Sequence, residues 1–134
     1  MTVFACSRCK QHLSADLREV PLPPPVVEEA PSAETFLPPW MQRGTYAVNQ
    51  HTGEFVLHPD DVSSTTAHPE PRRSGGCCGL DGLSGPNLVC DNCGAEVATQ
   101  YSDCWSQQYV GLVPEVVVTH RATRCQPVKS ESDL

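Results

Sequence analysis

Eight cysteines stand in this chain, and four of them fall in two Cys-x-x-Cys units, Cys6-Ser-Arg-Cys9 and Cys90-Asp-Asn-Cys93. A tetrahedral zinc site needs four deprotonated soft ligands at about 2.3 Å from the metal. A Cys-x-x-Cys turn supplies two, because the tight knuckle aims both sulfurs and its backbone N–H groups the same way. Two knuckles complete the shell and leave no open position, which is the pattern of a structural rather than a catalytic zinc ion. Lys10 and Gly94 directly follow the second cysteine of each unit. A knuckle commonly ends at positive φ, which glycine adopts without a Cβ clash. Val3 and Phe4 precede the first unit, and Leu88 and Val89 the second. The expectation is strand, knuckle, strand, twice over. The 80 residues between Cys9 and Cys90 exceed the spacing of an ordinary zinc ribbon. Loop-closure entropy grows only logarithmically, so that length is tolerable.

Cys77, Cys78, Cys104 and Cys125 remain. Cys78 and Cys104 with His58 or His68 could form a second metal site. A rival single site would use Cys78, Cys90, Cys93 and Cys104. The bland reading packs Cys77 and Cys78 as small hydrophobes and leaves Cys125 a free thiol. Disulfide pairing is the other alternative. His68-Pro-Glu70 followed by Cys90-x-x-Cys93 superficially matches the zinc nucleobase deaminases. Val89 stands where those enzymes have proline, and β-prone Val97, Thr99 and Tyr101 follow the knuckle where they start a helix. A redox dithiol would also need a helix opening at the motif to lower the thiol pKa. No serine nucleophile elbow, phosphate loop or Rossmann fingerprint is present. A non-enzymatic chain is expected.

The elements that must position these cysteines are short. In 134 residues the hydrophobic share is 39%, there is no isoleucine, and Pro and Gly number 13 and 9. A small core of this kind usually needs a metal or disulfides. Residues 1–20 read as the first ribbon half, with Leu13, Leu17 and Val20 on the return. Seven prolines between Pro21 and Pro39 mark an extended linker. Residues 44–57 read as a hairpin, with Tyr46–Val48 and Phe55–Leu57 around Asn49–Gly53. Residues 58–76 read as a loop, so 21–76 is a proline-rich, irregular insertion. Residues 77–125 hold the second ribbon half and further strands, at Glu96–Tyr101, Tyr109–Val113 and Val116–Arg121. Residues 126–134 are a polar, disordered tail. The fold class is small and mostly β, a zinc-ribbon-like domain interrupted by that insertion. Trp40, Trp105 and Tyr109 fill the core or form an aromatic surface for a partner.

Net charge is −7, with nine basic residues against sixteen acidic ones and only two lysines, Lys10 and Lys129. Phosphate backbones repel such a chain unless its cations converge. Nucleic-acid binding is therefore expected only if Arg8, Lys10, Arg121 and Arg124 share one face, and a protein partner is favoured. No h-region and no apolar run of membrane-spanning length is visible. A cytoplasmic setting follows, where thiols stay reduced and paired cysteines more often bind metal.

The run CCGLDGLSGPNLVCDNCGAEVATQYSDCW, with CSRC and HPDD, resembles short uncharacterised actinobacterial proteins carrying Cys-x-x-Cys zinc-ribbon-like motifs. The resemblance covers about half the chain, chiefly residues 1–20 and 58–105. It implies a bacterial cytoplasmic setting and draws attention to Cys78 and Cys104, which lie inside the resembling run.

Overall fold

The structure, a computed structural model, describes residues 1–25, 37–76, 79–103 and 107–121. They are mostly β, with nine strands and two short 3-10 turns at Pro59–Asp61 and Pro71–Ser74. The strands are β1 (Thr2–Cys6), β2 (Arg18–Glu19), β3 (Thr45–Val48), β4 (Phe55–Leu57), β5 (Thr65–Ala67), β6 (Leu88–Cys90), β7 (Glu96–Tyr101), β8 (Tyr109–Leu112) and β9 (Val117–Arg121). Strands β1 and β9 pair antiparallel as a two-stranded ribbon, from Thr2 opposite Arg121 to Cys6 opposite Val117. The other seven form one sheet in the order β2-β3-β4-β8-β7-β6-β5.

The ribbon lies over one face of the sheet, and the main core fills the gap. Residues in register across a sheet point to the same face, so Tyr46, Leu57 and Val110 share a face with Phe55 and Leu112. From the ribbon, Phe4 meets Tyr46 edge-on at 4.9 Å and Phe55 at 4.8 Å between ring centres. Leu13 and Leu17 are fully buried in the same cluster. They belong to the return after the first knuckle, which runs extended along β1. The Leu13 N–H donates to Phe4 O, and Thr2 and Leu17 exchange both backbone hydrogen bonds. The chain then joins the large sheet as β2, parallel to β3. On the opposite face a smaller cluster gathers Met41, Ala47 and Val56 with Val20, Leu22, Trp40 and Tyr109.

The segment between the two cysteine pairs contributes strands β2 to β5 and so is more regular than its composition implies. Strands β3 and β4 pair antiparallel, and Asn49 caps their turn by accepting from the N–H groups of His51 and Gly53. Residues 58–76, which read as a loop, carry β5 at the sheet edge and both 3-10 turns. The first of those turns is tied to the segment before β3 and to the return after β1. The Asp61 carboxylate accepts from Arg43 at 2.7 Å and from the Gly44 N–H at 2.8 Å, while its carbonyl accepts the Ala15 N–H. Strands β8 and β9, adjacent in sequence, fall in different sheets. Cys77, Cys78, Cys104, Cys125, Trp105 and the 126–134 tail lie outside the described residues. No helix among the described residues is long and apolar enough to cross a membrane.

Two polar side chains test this packing. Asn87 is 1% exposed, and its amide behaves as a further rung of the β6–β7 ladder. Its Nδ2 donates to Gln100 O at 2.9 Å, and its Oδ1 accepts the Gln100 N–H at 2.7 Å. Asn87→Ala strands both Gln100 groups, and denaturant unfolding should show a loss of about 2–3 kcal/mol. Glu54 lies over Gly111, where an added Cβ would sit 2.6 Å from its carboxyl carbon. Burial raises its pKa, against the lowering effect of hydrogen bonds from Tyr101 and Thr52. A carboxyl whose folded pKa is raised binds its proton more tightly in the folded state. Its cost is absent below the unfolded pKa and fully present above the folded one. Glu54→Gln should therefore raise Tm at pH 7, and the gain should disappear as pH falls to 4.

Candidate metal centre

The two knuckles fold by the same local rules. In the first, the Cys6 N–H donates to Gln11 O at 2.9 Å and the Lys10 N–H to Cys6 O at 2.8 Å. In the second, the Cys90 N–H donates to Ala95 O and the Gly94 N–H to Cys90 O, both at 2.8 Å. Each closes with a residue at positive φ, Lys10 at 66° and Gly94 at 79°. Each enters from a strand, β1 or β6, whose last residue is the first cysteine.

These matched turns bring Cys6, Cys9, Cys90 and Cys93 together, with all four Sγ atoms within 4.8 Å of one another. The closest approaches cross between knuckles. Cys6 Sγ is 3.5 Å from Cys93 Sγ, and Cys9 Sγ is 3.5 Å from Cys90 Sγ. A disulfide needs about 2.05 Å, and all four are free thiols. Four sulfurs at 2.3 Å around one tetrahedral ion would lie roughly 3.8 Å apart. The cluster is close to that size and could hold a metal ion. Cys6 and Cys90 are buried, whereas Cys9 and Cys93 are partly open to solvent.

The surrounding donors favour thiolates. The Asn92 side chain hydrogen-bonds Cys9, with help from the Gln11 N–H, and lowers its thiol to about 6. Burial raises Cys90, partly opposed by the N–H groups of Cys93 and Asn92. At Cys93 the Ala95 N–H is the largest influence and acts downward. Burial and the sulfurs of Cys6, Cys9 and Cys90 outweigh it and push the thiol up to about 11. Neutral thiols are weak acceptors, so N–H groups aimed at three of the four sulfurs are useful chiefly for charged ones. A divalent cation removes the mutual repulsion that opposes full ionisation.

Asn92, Gln11 and Ser64 were not singled out from sequence. Gln11 Nε2 donates to Ser64 Oγ at 3.0 Å, and Ser64 O accepts the Asp91 N–H at 3.0 Å. Ser64, itself at φ 59°, thus links the two knuckles beside the sulfurs. Lys10 takes the positive-φ position of Gly94, as its place after the second cysteine implies. Nothing in the sequence marks Ser64.

Of the residues expected for a second site, only His58 and His68 are described, and neither joins the four-cysteine cluster. Cys78 and Cys104 lie outside the described residues. His58 Nδ1 accepts the Asp60 N–H at 2.9 Å and caps a 3-10 turn. His68 Nδ1 accepts the Glu70 N–H at 3.0 Å, so its proton sits on Nε2, 2.6 Å from Glu96 Oε2. Arg73 reaches the same carboxylate oxygen at 3.1 Å. His68 first, then Arg73, hold the Glu96 carboxyl below its usual range. Both nitrogens of His68 are engaged in a structural network.

The twin turns carry a paired prediction. An added Cβ at Gly94 would meet nothing within 4 Å, so Gly94→Ala isolates the backbone cost. It should destabilise the protein by about 1 kcal/mol, whereas Lys10→Gly should stabilise it by about 0.5 kcal/mol. Denaturant titration of the two variants beside the parent checks the opposite signs. No family model, curated protein or solved structure matches the chain, so the geometry of the four sulfurs carries the functional reading.

Proposed function

We propose that Cys6, Cys9, Cys90 and Cys93 hold one structural zinc ion, and that the chain is a non-enzymatic binding or scaffold module for a protein partner. The carrying observation is the cluster itself, four free thiols within 4.8 Å delivered by two matched knuckles. Thiolate ligands select zinc over hard cations such as calcium or magnesium. A closed four-cysteine shell gives a water or substrate no coordination position, which supports a structural role. Reduced thiols at two partly open positions suit a reducing compartment such as the bacterial cytoplasm.

The charge distribution supports a protein rather than a nucleic acid as partner. Arg8 and Lys10 flank the first knuckle, at the Cys6 end of β1. Arg121 pairs with Thr2 at the other end of that strand, four residues and roughly 13 Å away along the backbone. Arg124 lies outside the described residues. Along the ribbon backbone, Arg8 and Lys10 thus stand at the opposite end from Arg121, on a chain of net charge −7.

Protein purified under reducing conditions should contain about one zinc per chain by elemental analysis. Cobalt substitution should give the thiolate charge-transfer and d–d bands of a tetrahedral four-sulfur site. Cys6→Ser and Cys90→Ser should each lose those bands together with folding, because zinc binding and folding are one equilibrium in small domains of this kind. A metal-free protein that stays folded with four reactive thiols would overturn the proposal. A Cys6→Ser variant that keeps its full zinc content would do so as well.

A further inference from the structure

The proline run Pro21-Leu22-Pro23-Pro24-Pro25 remains outside the metal-site reading, and the structure shows what it touches. The pyrrolidine ring fixes φ near −65°, and a following proline holds the preceding residue extended. Leu22, Pro23 and Pro24 each precede a proline, so the run is pre-set to polyproline II geometry. That geometry has no internal hydrogen bonds, and its carbonyls face outward in search of donors.

Here the donor is one indole. Trp40 Nε1–H is shared between Pro23 O at 3.2 Å and Pro24 O at 3.1 Å. The ring stands edge-on to Tyr109 at 5.1 Å between centres, over the cluster of Met41, Ala47 and Val56. A cavity of about 280 Å³ opens beside the contact, lined by Pro21, Pro23, Trp40, Met41 and Thr45 among others. A second, of about 400 Å³, opens between Leu22 and Val48. The run is lightly held between them. Pro21, Pro24 and Pro25 are exposed, and only Leu22 and Pro23 are partly covered. The last backbone tie before it is the Val20 N–H to Tyr46 O.

An indole N–H aimed at the carbonyls of a proline run, beside an apolar slot, is the chemistry by which aromatic grooves read polyproline II ligands. We propose that the Trp40 groove is a polyproline-binding site, occupied in cis by residues 21–25, that accepts a proline-rich segment of a partner protein by displacing them. The occupant's class is fixed by the contact already present. The light hold on the cis run makes displacement feasible, and its tethering sets a millimolar-scale internal competitor. The site deepens the protein-partner reading but shares no residue with the cysteine cluster.

The test is nuclear magnetic resonance on the full, zinc-loaded chain, following the Trp40 indole Nε1–H, with Trp105→Phe used for assignment. The probes are the peptide Ac-PPLPPPLPPP-amide and a control with glycine at every proline position. The parent should show a saturable shift only at millimolar peptide. The triple variant Pro23→Gly/Pro24→Gly/Pro25→Gly, with its cis competitor weakened, should bind roughly ten-fold or more tightly. The glycine control should leave the resonance unmoved. Absence of a shift in the folded triple variant overturns the proposal, as does an equal response to the control. If that variant fails to fold, the parent alone decides, and an unmoved indole at several millimolar peptide overturns the proposal. An indole shift that depends on protein concentration without peptide would assign the groove to a second copy's prolines and overturn the partner reading. Zinc measured on the same samples separates the two readings, since peptide binding by a metal-free folded chain removes only the zinc site.

Discussion

The convergence of four sulfurs from two sheets is the constraint on which the other features depend. Cys6 ends a strand of the β1–β9 ribbon, and Cys90 ends β6 of the seven-stranded sheet. The cross-knuckle contacts, Cys6 to Cys93 and Cys9 to Cys90, therefore join the two layers at one end. Between the layers the core is thin. Phe4, Leu13, Leu17, Tyr46, Leu57, Val110 and Leu112 supply most of its bulk. A two-stranded ribbon is marginal alone in water, and the ribbon's only aromatic anchor into the core is Phe4. A cation bound by both knuckles would fix its position where hydrophobic burial is least able to do so. The chain separation of the knuckles costs little extra, because closure entropy rises only with the logarithm of loop length.

The same constraint accounts for local features that are otherwise costly. Lys10 and Ser64 occupy positive φ without being glycine. Lys10 closes the first knuckle, and Ser64 receives a side-chain donor from Gln11, just after the first knuckle, and a backbone donor from Asp91 in the second. Strain of this kind persists where the surroundings over-determine the backbone. The N–H groups of Gln11, Cys93 and Ala95 point at sulfur because the knuckle turns expose them. The conformation that sets the ligands also supplies the hydrogen bonds that favour their charged form.

Local signals were legible in the sequence and long-range pairings were not. The Cys-x-x-Cys spacing and the flanking Val3-Phe4 and Leu88-Val89 carry the knuckle geometry, because it is decided within six residues. Asn49 and Gly53 mark the turn between Thr45–Val48 and Phe55–Leu57 in the same local way. The polar run 58–76 concealed β5, whose Thr65, Thr66 and Ala67 are mostly exposed and lack an apolar alternation. They are strand only because β6 offers an open edge. Tyr109–Val113 and Val116–Arg121 read as two strands, but nothing local says that β8 and β9 separate into different sheets, a choice made by partners far away in sequence. Proline content implies an extended linker, and its start is seated by the Trp40 indole donor and by Leu22, packed against the smaller core cluster.

Sheet order also bears on how the cysteine cluster and the Trp40 side are related. Cys90 ends β6, next to one edge, whereas Val20 directly follows β2 and Thr45 opens β3 by the other. Three strands, β4, β8 and β7, stand between β3 and β6, a span of about 19 Å at 4.8 Å per strand. A ligand in the groove would touch no cysteine. Any influence of a metal bound by the four cysteines on the Trp40 side would pass through the sheet, by stabilising it as a whole or by shifting packing across its central strands. Of these, β8 carries the Tyr109 that Trp40 packs against. The central strands carry fully buried Val56, Leu57, Val97 and Leu112, and close-packed interiors of that kind resist continuous deformation. A metal held by the four cysteines would thus be better placed to stabilise the sheet as a whole than to alter the packing around Trp40.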